Sequence, residues 1–367
     1  MLKQKSTLID KTTSKHFQRQ SFLGYIYPTI KIVLAEPFIR VSILVMLIVW
    51  TLWLFMVGPE RAISNSIANW KAAITMIFGS IVAGGTSMGG GAVAFPVFTK
   101  VLHVPYQEAK VFSLAIQSIG MSAASLTIVA MKTQVEWRFV RWASLGGIPG
   151  IFIGAMWLSS ILSSDFIKFS FTMMISSFGI VLLALNRTKA KRNLAVPIWG
   201  KRERIISVLA GIWGGTVSGL VGSGMDIFGF SVLVLLFGLC EKVSTATSVI
   251  LMAINAVIGF WLQKYVIGDF SEPVISYWLA SVPVVVVGAP FGAMLCSWLK
   301  PKTITKILIG LISIELVTSL SLIPLNLTLI YSSLFVFILF SAIYYWMYQS
   351  QIYIRKKTIL QTPERLL

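Results

Sequence analysis

Two apolar stretches of this chain are broken at their centres by glycines, and the two breaks correspond. Between Ala72 and Leu102 the chain reads Gly84-Gly85-Thr86-Ser87-Met88-Gly89-Gly90-Gly91, followed by Ala92-Val93-Ala94-Phe95-Pro96. Between Ile205 and Leu239 it reads Gly219-Leu220-Val221-Gly222-Ser223-Gly224-Met225-Asp226. At an offset of 135 the stretches align without a gap: Gly79, Val82, Gly84, Gly89, Phe95, Val97 and Ser113 match Gly214, Val217, Gly219, Gly224, Phe230, Val232 and Ser248. Paired glycine-interrupted apolar segments in two halves of a membrane chain point to a transporter's binding site. Each stretch is too long for one straight span and too short for two. We therefore expect two half-helices that enter and leave on one side, with the glycines at the tip. Non-helical backbone is tolerated at that depth only when buried in protein or lining a cavity.

The rest of the chain fits a membrane setting. Hydrophobic residues make up 56%, charged residues 12%, and the mean hydropathy is +0.83, values of a polytopic membrane protein. Residues 1–40 read as a basic cytoplasmic tail, with a short interfacial helix near Ile30–Leu34 and no cleavable signal peptide. Val41–Val57 is a first span, followed by a polar outer loop to residue 70. Residues 71–186 form repeat 1, with the broken segment and spans at Val111–Met131, Trp142–Ile161 and Phe166–Leu185. A basic linker covers 187–204. Residues 205–323 form repeat 2, with spans at Val243–Leu262, Val274–Leu295 and Ile304–Ile323. A last span lies at Leu327–Met347 within 324–348, and 349–367 is a basic tail.

Charge orients this plan. With the N-terminus inside and each broken segment re-entrant, 25 of the 31 Lys/Arg fall inside and six outside, as the positive-inside rule requires. The net charge of +18 is therefore a topology signal and a feature for anionic-lipid contact. No nucleic-acid motif accompanies it. Both termini are expected to be cytoplasmic, in the inner or plasma membrane. Three spans per repeat is an odd number, so the repeats are expected to be inverted, as in many secondary transporters. Gly150-x-x-x-Gly154 and Gly288-x-x-x-Gly292 would let helices approach closely. The expected fold is thus all-α and polytopic: two inverted repeats, each a re-entrant helix pair plus three transmembrane helices, with an extra span at each end.

These residues resemble the TauE/SafE family of sulfite-exporter-like permeases over roughly 71–323. The resemblance is carried by Gly89–Pro96, with its Gly-Gly-Gly-x-x-x-x-Pro pattern, and by Ala246-Thr247-Ser248. It implies export or uptake of sulfite or organosulfonates without ATP. The chain departs from the pattern at Ser231, where repeat 1 has a proline, and at Asp226, which aligns with Gly91.

The candidate substrate site follows from the tips. A half-helix starting near Gly90 would present unpaired N–H groups and a positive dipole end to an anion, and Gly89, Gly90 and Gly91 would let the anion approach the backbone. Thr86 and Ser87 add hydroxyls. Gly222, Ser223 and Gly224 are the counterparts in repeat 2. Ser113, Gln117, Thr247, Ser248 and Asn255 on the following spans either complete a polar cavity or hydrogen-bond between helices. Asp226 is either a helix cap, a group coupling transport to H⁺ or Na⁺, or a pore-lining charge. Glu315 is either a second coupling candidate or a carboxyl bonded to a neighbouring helix. Glu108 and Lys110 read as loop residues, and Lys100, His103 and Lys110 as charges that could draw anions to an outer vestibule.

Other functions lack their parts. His16 and His103 are the two histidines, which leaves no metal site and no base for a serine protease at Ser87. Asp226 has no second intramembrane aspartate for an aspartyl protease. There is no G-x-x-x-x-G-K-[ST] loop for ATP, and no cofactor is expected. Cys240 and Cys296 read as buried hydrophobes. The alternative to an anion carrier is a channel or a cation-coupled carrier for another small solute. Oligomeric state is not legible.

Overall fold

The structure, a computed structural model, describes residues 36–187, 192–323 and 326–361. The interfacial helix expected near Ile30–Leu34, nearly all of the 1–40 tail, part of the 187–204 linker and the end of the 349–367 tail lie outside those residues.

The elements are α1 (Pro37–Val57), α2 (Pro59–Ala68), α3 (Trp70–Gly85), α4 (Gly91–Pro96), α5 (Tyr106–Ala130), α6 (Trp137–Phe152), α7 (Ser164–Arg187), α8 (Lys201–Val221), α9 (Met225–Ser231), α10 (Glu241–Trp261), α11 (Val274–Trp298), α12 (Pro301–Leu322) and α13 (Leu327–Gln361). Looser π-helical turns extend α4 (Val97–Val101), α6 (Ile153–Leu158), α9 (Val232–Leu236) and α10 (Leu262–Ile267). Among the described residues, nine helices are long and apolar enough to cross a membrane: α1, α5, extended α6, α7, α8, extended α10, α11, α12 and α13. The chain is a multi-pass, all-helical membrane protein.

Three expectations are corrected. The outer loop before residue 70 is a helix, α2, which meets α3 at 84° and is pinned where Asn65 Nδ2 donates to Ser276 O (2.8 Å). The last helix runs on to Gln361. Glu108 and Lys110 are not loop residues; they stand in the opening turns of α5, which starts directly after Pro105. Proline excludes the helical conformation before itself but not after it, and an acidic residue suits a first turn.

Both glycine-broken segments return to the end where they began. The first follows directly on α2, whose Asn65 bonds Ser276 O at the head of α11. It descends until Gly84 and Gly85 press on Ala289 and Gly292, and it comes back so that Phe98 stacks on Phe112 (4.3 Å between ring centres) and meets Tyr277 edge-on (5.6 Å). The second starts where Arg204 lies over Trp142 (5.5 Å) and descends α6 as far as Ala155. It returns with Phe237 beside Phe139 (6.2 Å) and Trp199 (6.5 Å). Its first limb is the longer, at 21 residues against 16 in α3. Gly200 N–H donates to Glu203 Oε2 (2.8 Å), which fixes the start of α8 one turn before the apolar run.

Each broken segment leans on a helix of the other half. Gly84 and Gly85 of α3 meet the Gly288–Gly292 face of α11. Gly211, Gly215 and Gly219 of α8 interdigitate with Gly146, Gly150 and Gly154 of α6, backbone on backbone. Lipid gives no hydrophobic drive for helix association, so close van der Waals contact through small residues does this work.

Two carboxylates dock the linker: Glu241 pairs with Arg192 (3.5 Å), and Glu136 holds Val196. Glu136, just before α6, accepts from Arg138 Nε (2.7 Å) and Nη2 (2.9 Å) and from Val196 N–H (2.9 Å). Burial pushes its pKa up, but the bonds from Arg138 and Val196 and the Arg138 charge outweigh that and hold it below the ordinary carboxylate value. A lowered carboxyl pKa stabilises the fold above the unfolded value and is lost as pH falls through the folded one. Thermal melts in detergent should therefore show acid destabilisation below about pH 4.5 that Glu136→Gln reduces, with the variant about 2 kcal/mol weaker at pH 7. An unchanged acid profile would refute this.

Candidate functional site

The two tips meet at the centre of the bundle. Gly89, with φ +64°, turns the first tip in a conformation that favours glycine. A Cβ there would land on Asp226 Oδ2 and lie 2.9 Å from Gln117 Oε1 and 3.1 Å from Ser223 Oγ. Asp226, Gln117 and Ser223 therefore converge on the Gly89 backbone from α9, α5 and the second tip. Gly91 is held the same way, with 2.7 Å between the place of its missing Cβ and Ser223 Cβ and with Gln117 Nε2 beside it.

Gln117 joins the tips to α5. Its Nε2 donates to Gly222 O (2.7 Å) and to Ser113 O (3.0 Å), so Oε1 is the end turned to the cluster, where it has no partner among the described residues. Gly222, at φ +82°, caps α8 in the left-handed region and packs on Ser113. The two oxygens of Asp226 have separate surroundings. Oδ1 accepts from Gly224 N–H (3.2 Å) and Ile227 N–H (3.0 Å). Oδ2 is fully buried without a partner among the described residues, as are the hydroxyls of Ser87, Ser113 and Ser223. Buried polar atoms are normally paired. A cluster of several unpaired ones, aimed at one glycine turn, is a place for a ligand or ion.

Not every expected site residue joins this cluster. Thr86 Oγ1 donates to Val82 O (2.8 Å) and accepts from Met88 N–H (3.2 Å), closing its own helix end. Ser87 lines a small hollow with Ile175, Phe178, Ile227 and Ile312. Gly90 faces Ala83 and Gly79 of α3, and Gly224 faces Val217. Thr247 accepts from Glu136 N–H (3.0 Å), and Ser248 turns back to Thr245 O (3.0 Å). Asn255 reaches Gly147 O (3.3 Å) beside Met225. Gly89, Gly91, Ser113, Gln117, Gly222, Ser223 and Asp226 are the residues brought together.

Glu315 lies in a different polar centre. Lys100, expected in an outer vestibule, is buried at 7% exposure and donates from Nζ to Glu315 Oε1 (2.6 Å) and Ser319 Oγ (2.6 Å). Thr172 Oγ1 donates to the same carboxylate oxygen (2.9 Å). This centre ties the end of the first re-entrant segment to α7 and α12. The ion pair was not legible, because its members are 215 residues apart. A lysine and a glutamate facing inward from apolar stretches were the one available signal.

Neither the curated proteins nor the solved structures include a significant match to this chain. The family model described as sulfite exporter TauE/SafE matches residues 72–319, a stretch that holds both glycine-broken segments, the tip cluster and the Lys100–Glu315 pair. The chain belongs to the TauE/SafE sulfite exporter family of membrane transporters.

Proposed function

We propose that this protein is a secondary transporter that exports small sulfur-containing anions, such as sulfite or organosulfonates, across the inner or plasma membrane. The observation that carries this reading is the meeting of two glycine-broken tips around unpaired serine hydroxyls, Gln117 and Asp226. The description of the family supplies the sulfur anion. Serine hydroxyls and glycine N–H groups suit a sulfur oxyanion, whose charge is spread over oxygens that accept hydrogen bonds. An inside-negative potential expels net negative charge, by about 2.3 kcal/mol per charge per 100 mV.

The two units are read as inverted, with the termini and the basic linker cytoplasmic. In support, the first segment returns beside Tyr106 at the head of α5, while the second returns beside Phe139 near the head of α6, at the other end of the 25-residue α5. Asp226 serves as the coupling group. Its unpaired oxygen would repel an anion at the tips unless H⁺ or Na⁺ neutralised it, which links anion binding to a co-ion. Thr86, Thr247, Ser248, Asn255 and Gly224 support the walls.

Direct binding to the purified protein tests the reading, with sulfite, ethanesulfonate and a panel of cations. Sulfur-anion binding, accelerated from the opposite side by counter-substrate in proteoliposomes, is the expected result. Tight binding of a cation and of no anion would overturn it, and flux without counter-stimulation would make the protein a channel. Gly89→Ala puts a methyl on the Asp226 carboxylate and should reduce anion flux at least 10-fold while the protein still inserts. Wild-type flux in that variant would remove the tips from the transport path.

A further inference from the structure

Lys110 is 1% exposed, yet its ammonium has no hydrogen bond and no ion pair among the described residues. The face of the Tyr106 ring lies beneath it, 5.8 Å from Nζ to the ring centre. Asp269, exposed in the loop between α10 and α11, acts on it only through space. The contrast with Lys100 is sharp: that buried lysine has a carboxylate and a hydroxyl within 2.6 Å. A buried cation without a counter-ion is costly, and inside a membrane protein such a group is a functional site by default.

Position says what the site is for. Lys110 and Gln117 are seven residues apart on α5, almost two full turns, so they leave the helix on the same side, about 10 Å apart along its axis. Gln117 bonds the second tip at Gly222 O. The backbone carbonyl of Lys110 itself packs on Gly222, 2.6 Å from where a Cβ would stand. Ser113, between them on the helix, carries a hydroxyl with no partner among the described residues. Tyr106 is anchored by its hydroxyl to Leu220 O, at the end of α8. Lys110, Ser113 and Gln117 thus form a line from the head of α5 to the meeting point of the tips, with the cation at the outer position and the carboxylate of Asp226 at the inner one.

We propose that Lys110 is the anion-binding cation of the transport path: the substrate oxyanion takes the place of the missing counter-ion at its ammonium, with the Ser113 hydroxyl as second donor, on its way to or from the tips. This rests on the transport reading above and adds the residue that selects for charge. An ammonium with three donors fits the oxygens of a sulfite or sulfonate and gives a neutral solute no advantage. An arginine would keep the charge and a glutamine would not.

The test compares wild type, Lys110→Gln and Lys110→Arg for sulfite and ethanesulfonate binding in detergent and flux in proteoliposomes. Lys110→Gln should weaken anion binding at least 10-fold while its thermal midpoint stays level or rises, since an uncompensated charge has been removed. Lys110→Arg should stay within a few-fold of wild type. Equal anion affinity in Lys110→Gln and wild type would overturn the role of Lys110 and leave the transport reading standing. Wild type binding neither anion would overturn both. A lower midpoint in Lys110→Gln with unchanged affinity would make Lys110 a structural residue only. Should that variant fail to insert, Lys110→Met decides in its place: it should lose at least 10-fold in anion affinity, and wild-type affinity in it overturns the proposal.

Discussion

Asp226→Asn is expected to give a folded protein that binds the anion but no longer concentrates it. The asparagine keeps an oxygen to accept from Gly224 and Ile227 N–H, the two bonds that Asp226 Oδ1 makes. What disappears is the negative charge at Oδ2, beside Gly89 and Gln117 Oε1. An amide there needs no neutralising ion, so the anion should enter the tips without a co-ion. Uphill accumulation in proteoliposomes driven by a proton or sodium gradient should fall to background, while exchange down the anion's own gradient survives. Asp226→Ala also loses the capping bonds and should cost about 1 kcal/mol in addition. Gradient-driven accumulation at the wild-type level in Asp226→Asn would take this residue out of the coupling mechanism.

The largest effect on the fold is expected from Lys100→Met. Lys100 and Glu315 share a pair in which the side chains are 4% and 7% exposed. Removing one member leaves the other charge buried and uncompensated, at a cost of about 3–5 kcal/mol. Glu315 would keep only the hydroxyls of Thr172 and Ser319 as donors. Lys100→Met combined with Glu315→Leu removes both charges and should recover most of the loss, because apolar replacement of a whole buried pair is often neutral or better. Thermal melts and detergent-resistant yield of the two single variants and the double report this. A double variant as weak as the singles would mean that the pair itself, not the stranded charge, holds α7 and α12 to the first segment.

How much could be read from sequence depended on the range of the signal. The glycine breaks, the spans and the likeness between the halves are local patterns, and they anticipated the helices closely. The cluster was legible in part. Gly89, Gly91, Ser113, Gln117, Ser223 and Asp226 were identifiable because each sits at or just after a break. That they share one point depends on how α5 lies between the tips, which no spacing encodes. Thr247 and Ser248 also follow the second break in sequence, but their hydroxyls are engaged by Glu136 N–H and Thr245 O, partners that no local pattern announces. Lys110 was hidden by Pro105 and its polar neighbours, which read as a loop although a helix begins there.

The crossing of the broken helices makes each half of the bundle depend on the other. The ridge Gly211, Gly215, Gly219 fits the ridge Gly146, Gly150, Gly154, while Gly84 fits Ala289, Gly85 fits Gly292 and Gly288 takes Ser80, so each half supplies the wall on which the other half's broken helix rests. A single half would turn its glycine ridge toward lipid, with no matching backbone to approach. Residues 71–186 expressed alone would strand Gly146, Gly150 and Gly154 without the α8 backbone they pack on, so neither half is expected to be stable in a membrane without the other.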